Sequence, residues 1–156
     1  MIEIKAPNNY DDHKGKKSIF LAGSIEMGKA GRWQGIVVEA LKDIDDLLIL
    51  NPRRNGWNSS WDQSIDNPQF KEQVEWELDG IHHVDYIAMY YDPKTKSPIT
   101  MMEFGLYAKS NPEKLIVCCP EGFWRKGNVD VVCSKYGVEQ VDSLEALIEN
   151  ITNKIK

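Results

Sequence analysis

Ser18-Ile19-Phe20-Leu21-Ala22-Gly23 is the stretch on which the fold turns. Its apolar residues run without alternation and stop at a glycine. A run this short, apolar on both sides of the pleat, reads as a strand covered on both faces of its sheet. Residues 47–50 (LLIL) repeat the signature and end at Asn51-Pro52. Residues 84–91 (VDYIAMYY) and 115–119 (LIVCC) repeat it again, and 138–141 supplies a fifth strand. Helical spacing fills the intervals: 32–43, with Trp33, Ile36, Val37, Ala40 and Leu41 on one stripe, then 68–82, 97–109 and a closing amphipathic segment over 143–156. Ser97-Pro98 opens the third of these, with serine at the N-cap and proline at the first helical position. Short buried strands alternating with helices predict α/β architecture. The expected form is a single-domain flavodoxin-like or Rossmann-like three-layer sandwich with about five parallel strands. Residues 1–17 are polar and lysine-rich, an N-terminal arm with an early extended piece; the domain proper spans 18–156.

Composition narrows the function. The chain has 156 residues, a net charge of -5 and 42% hydrophobic residues, a globular balance. An acidic surface disfavours a nucleic-acid polymer as partner. No apolar run is long enough to cross a bilayer, so no membrane partner is expected, and the first residues lack a secretory apolar core. Cys118, Cys119 and Cys133 form an odd set with two neighbours adjacent and no CxxC, which reads as reduced thiols in a cytoplasmic protein. The three histidines carry no metal-binding spacing, and no cofactor is required.

In open α/β sheets, ligands bind beyond the carboxyl ends of the strands. Three segments fall there: Gly23-Ser24-Ile25-Glu26-Met27-Gly28, the long loop 51–67, and the turn 92–97. The glycine loop can cradle a phosphate on its amides or can simply be a tight turn; it is neither GxGxxG nor a P-loop. Glu103 lies in PITMMEFGLYA, a helix apolar nearly all round, which predicts burial. Ile99, Met102, Leu106 and Tyr107 share its face by spacing. A lone carboxylate there is costly unless it is paired or used. Glu77 falls on the edge of an inward stripe formed by Phe70, Val74, Leu78 and Ile81, where it is either an acid reaching for water or a second functional carboxyl. Two such acids fit general acid/base or glycosyl chemistry. Trp57 and Trp61 either stack on a ligand ring or pin the long loop to the core. Trp33 and Trp76 read as packing residues, Tyr90 as core and Tyr91 as rim, and Trp124-Arg125-Lys126 as a contact segment.

FLAGSI, NPRR, QVEWELDGIHHVDYIAMYY and SPITMMEFG, taken in that order, resemble the nucleoside 2-deoxyribosyltransferase-like superfamily, which includes the 2'-deoxynucleoside 5'-phosphate N-hydrolases. The resemblance runs over about 18–119. It implies that Glu103, in Glu103-Phe104-Gly105, is the nucleophile on C1' of a deoxyribose. It places Glu77, eight residues before Asp85, where the family usually has an aspartate that helps protonate the leaving base. Asp85 becomes a structural or supporting residue, counted with the substrate-binding set. Ser97 stands where free-nucleoside transferases carry an aspartate, which brings the sequence nearer to the 5'-phosphate hydrolases. Ser97 and Ser24, with the Gly23 amide and neighbouring Ile25, would then face a 5'-monophosphate, and Arg53 and Arg54 would add charge. The resemblance also implies a homodimer or larger homo-oligomer. A non-catalytic module that binds or sequesters nucleotides on the same fold is the rival reading, and a flavodoxin-like partner protein a more distant one.

Overall fold

The computed structural model describes residues 1–26, 30–55 and 60–156. Along β2 (Lys17–Gly23), Ile19 and Leu21 enter one core while Phe20 and Ala22 enter another, and all four are buried. The unbroken apolar run therefore serves two covered faces. The other strands are β1 (Ile2–Lys5), β3 (Leu47–Asn51), β4 (Tyr86–Tyr90), β5 (Leu115–Cys118) and β6 (Glu139–Val141). Between them lie α1 (Trp33–Leu41), α2 (Pro68–His83), α3 (Pro98–Ser110) and α4 (Lys126–Tyr136), and α5 (Leu144–Ile155) closes the chain. All pairings are parallel, in the order β1-β3-β2-β4-β5-β6. Residues of α1 and α5 (Val37, Leu41, Leu147, Ile151) fill one core; residues of α2, α3 and α4 (Trp76, Ile81, Phe104, Ala108, Val129) fill the other. This is the expected three-layer, Rossmann-like arrangement.

The sheet has six strands rather than about five. The additional one is β1, which pairs Ile2 with Leu48 and Ile4 with Leu50. As an edge strand it needs only one side of its ladder, and only Ile4 of its residues is buried. Hence it lacks the continuous apolar run that marks an inner strand. Asn51 Nδ2 donates to Glu3 (2.8 Å) and Trp76 Nε1 to the Asn8 carbonyl (2.9 Å), fixing the segment to the domain.

From β2 the chain moves outward to β3, then returns to place β4 on the opposite side of β2. The crevice of such a sheet lies above this reversal, between Gly23-Ser24 and Tyr90-Asp92. Gly23 is demanded there: its φ is +144°, and a Cβ would lie 2.3 Å from the Tyr90 carbonyl oxygen and 2.9 Å from the Trp33 ring. At the other end of the same two strands, Asp85 Oδ2 accepts from the Ser18 amide (2.9 Å) and hydroxyl (3.0 Å), and the Asp85 amide donates back to Ser18 Oγ (3.1 Å). α2 begins at a capped turn, with Asn67 Oδ1 accepting from the Gln69 and Phe70 amides (both 3.1 Å) ahead of Pro68.

Among the described residues no helix is long and apolar enough to cross a membrane. Cys118, Cys119 and Cys133 are free and buried, and burial pushes each thiol up to about 12.

Candidate active site

Both acids occupy the centre of an inward helical stripe. On α2 the buried positions are Gln73, Trp76, Gly80 and Ile81, with the Glu77 carboxyl enclosed between them; Phe70 and Val74 are half-buried and Leu78 is exposed. Hydrophobicity misplaces the stripe because three of its members, Gln73, Glu77 and Gly80, are polar or bare. Gly80 is inward so that the Phe20 ring can approach; a Cβ there would meet it at 2.8 Å. On α3 the buried residues are Thr100, Glu103, Phe104 and Ala108, while Ile99, Met102 and Leu106 face outward and are about half exposed. Glu103 therefore lies opposite the apolar face that spacing assigned to it.

α2 and α3 cover the same side of the sheet, and each carries its acid inward. Glu103 is buried, and among the described residues it has neither a hydrogen-bond donor nor a basic partner. Burial drives its carboxyl from 4.5 up to about 8, and the nearby Glu77 charge raises it further within that rise. Burial likewise brings Glu77 up to about 7, against the opposing hydrogen bond from Gln73. The N–H of Gln73 favours the charged form of Glu77, so Glu103 keeps its proton to the higher pH. The sign for stability follows. Both groups bind protons more tightly when folded than when unfolded. Their contribution is complete below about pH 4.5 and is lost as pH rises through 7 to 8.

Behind Glu77 the polar contacts continue. Gln73 Nε2 donates to Glu77 Oε1 (2.6 Å) and to the Pro52 carbonyl (3.1 Å), and Arg54 Nη1 donates to Gln73 Oε1 (3.3 Å). The Arg54 guanidinium also lies 5.0 Å from the centre of the Trp61 ring. The loop after β3 is thus tied to the acid pair through one amide. Sequence reasoning missed Gln73, although a glutamine four residues before an acid on a helix is a readable signal.

Ser24 and Ser97 do converge, but on each other. Their hydroxyl oxygens are 2.5 Å apart, and Thr95 Oγ1 lies 2.9 Å from Ser24 Oγ and 2.7 Å from Ser97 Oγ. The Asp92 amide donates to Ser24 Oγ (2.8 Å), and the Ser24 amide is taken by the Tyr90 carbonyl (2.9 Å). Ser97 has a left-handed backbone (φ 49°), and its side chain does not cap α3. The first-turn amides of α3 thus lack a side-chain cap. Gly23 lies close against the Tyr90 backbone and the Trp33 ring, and the half-buried Ile25 accepts at its carbonyl from the Ala30 amide (3.3 Å).

The remaining sequence expectations divide. Asp85 clasps Ser18 where β2 and β4 begin, at the opposite end of these strands from Ser24 and Asp92. Trp61 faces Arg54, whereas Trp57 lies outside the described residues, as do Met27 and Gly28. Trp33 and Trp76 pack as expected. Tyr91 is the core residue and Tyr90 the half-buried one, the reverse of the reading above; Tyr91 packs on Phe104 and Phe123, Tyr90 on Trp33. Arg53 donates to the carbonyls of Gly31 (2.7 Å) and Ala30 (3.2 Å), bracing α1's approach. Among the described residues no cluster of three or more His, Cys, Asp or Glu side chains is arranged to hold a metal.

A parallel sheet whose strand order reverses at β2, with two helices on one face that each bury a carboxyl, defines a Rossmann-like protein. A family model described as nucleoside 2-deoxyribosyltransferase like matches residues 16–123, and the chain belongs to that family. Membership implies a small nucleoside-type ligand. No curated protein matches the chain.

Proposed function

We propose that the protein cleaves or transfers the N-glycosidic bond of 2'-deoxynucleosides or their 5'-monophosphates. The observation that carries this reading is the pair of buried carboxyls, Glu103 with no cation or donor beside it among the described residues and Glu77 raising it further. A structural acid would have found a partner; this one is kept costly, as groups at reaction centres are.

The reaction is a double displacement. Glu103, as carboxylate, attacks C1'. The C1'–N bond breaks, its electron pair goes to the base, and Glu77 gives the base its proton. A glycosyl ester on Glu103 results. Water then attacks C1', passing a proton to Glu77, and the ester oxygen of Glu103 leaves as carboxylate. A second base in place of water gives exchange. This sequence starts with Glu77 protonated and Glu103 charged, the reverse of the preference that burial and the Gln73 N–H set. Positive charge building at C1' stabilises the Glu103 anion, which offsets the cost of ionising it. The uncapped first turn of α3 suits a 5'-phosphate, reached when Ser97 turns from Ser24.

Incubation with deoxynucleosides and their 5'-monophosphates, read as free base, tests the reading. Base release is expected, with the 5'-monophosphate turned over faster. Tight binding of every ligand with no base released would favour the sequestering module instead.

The outward stripe Ile99, Met102 and Leu106 on α3 supports a homodimer or larger homo-oligomer, since half-exposed apolar side chains at this spacing form a packing face. Light scattering at micromolar chain concentration is expected to give at least twice the 17.9 kDa chain mass; a monomer overturns the assembly.

A further inference from the structure

Every donor and acceptor of the Gln73 amide is committed. One Nε2 hydrogen goes to the Pro52 carbonyl (3.1 Å), the other to Glu77 Oε1 (2.6 Å), and Oε1 receives Arg54 Nη1 (3.3 Å). The residue is 4% exposed, so water does not compete. Only one orientation of the amide satisfies this set. Turned over, it would present its oxygen to the Pro52 carbonyl and its NH2 to a guanidinium. Arg54 and Pro52 therefore dictate that Glu77 meets an N–H donor. That donor requires a lone pair on Oε1. The carbonyl oxygen of a protonated carboxyl accepts better than its hydroxyl, so this contact favours Oε1 as the carbonyl and places the Glu77 proton on Oε2.

We propose that Gln73 is a positioning residue for the proton-transfer step: it anchors Glu77 through Oε1, so that the proton leaves from Oε2, and it couples this acid to Arg54 on the loop after β3. The inference rests on the reading of Glu77 as proton donor. In the step itself, the electron pair of the breaking C1'–N bond goes to the base nitrogen, which takes the Oε2 proton. Glu77 is left as a carboxylate whose Oε1 keeps the Gln73 N–H. The bond that orients the acid thus also favours the anion it becomes. Among the described residues, the charged groups facing Glu77 from packed elements are Glu103 on α3 and, behind the amide, Arg54, which also reaches Glu72 at 4.0 Å.

The test uses Gln73→Met, similar in length but without a donor, and Gln73→Asn, which keeps the amide but draws it back by one methylene. Base release is followed against pH in the full chain. In both variants kcat is expected to fall about tenfold with KM within about twofold. The alkaline limb of kcat moves to higher pH, because Glu77 has lost the donor that favours its carboxylate. Adding Gln73→Met to Glu77→Gln changes the rate by less than about twofold, since the coupled partner is gone. A merely structural role would lower the amount of folded protein and leave the limb where it is. An active wild type whose limb does not move in either variant overturns this inference alone. A wild type that releases no base, or a Glu103→Gln variant that still does, overturns the parent reading and this one with it.

Discussion

Glu103→Gln is expected to lower base release by about a thousandfold or more while leaving the fold intact. The amide matches the carboxyl in size but cannot form the glycosyl ester. The loss should appear in kcat for every substrate, whatever its base. Glu77→Gln should behave differently, costing most with bases that depart poorly without a proton and least with activated ones. Stability should move opposite to activity. The wild type must ionise a buried carboxyl as pH passes about 8, which weakens it; the variant has nothing there to ionise. Near pH 9, Glu103→Gln is expected to be more stable by about 4 kcal/mol, and near pH 5 the difference should be small. Urea unfolding at the two pH values measures this. Turnover within tenfold of the wild type would remove Glu103 from the chemistry.

Gly23→Ala is expected to be the most damaging single-methyl change in the crevice. At φ +144° a β-carbon is strained before any contact is considered, and this one would press on the Tyr90 carbonyl at 2.3 Å, the Tyr90 amide at 2.9 Å and the Trp33 ring at 2.9 Å. Two of these are backbone atoms of the neighbouring inner strand and cannot swing aside. The cost should be about 3 kcal/mol or more, lowering Tm by about 10 °C in a chain of this size. Activity should fall as well, because β2 and β4 separate just where Ser24, Thr95 and Ser97 meet. A melting temperature within about 2 °C of the wild type would show that the strands part here at little cost.

The four inner strands were legible because burial on two faces leaves an apolar run with no alternation, as in Leu47-Leu48-Ile49-Leu50. β1 was not, because an edge strand shares only half of that requirement. The phase of α3 was hidden for a different reason: Ile99, Met101, Met102, Phe104 and Leu106 surround the helix, so hydrophobicity names no side. The inward stripe of α2 was obscured by Gln73 and Gly80, one chosen for its amide and the other for having no side chain. Glu103 and Glu77 could be singled out as misplaced charges, but that they influence each other is a tertiary fact. The mutual contact of Ser24 and Ser97 likewise depends on a crossover of 73 residues. Asp85 could have been placed from the sequence, since it precedes its strand and the crevice lies beyond the strand's other end.

The sealed thiols of Cys118, Cys119 and Cys133 have a practical corollary. A sulfur that is out of reach and holds its proton up to about pH 12 reacts with neither alkylating agents nor dissolved oxygen at ordinary rates. A cysteine introduced at an exposed position, such as Lys94 beside the crevice, would therefore be the one reactive handle on the described part of the molecule. Fluorophores or spin labels could be attached there without first stripping the native sulfurs.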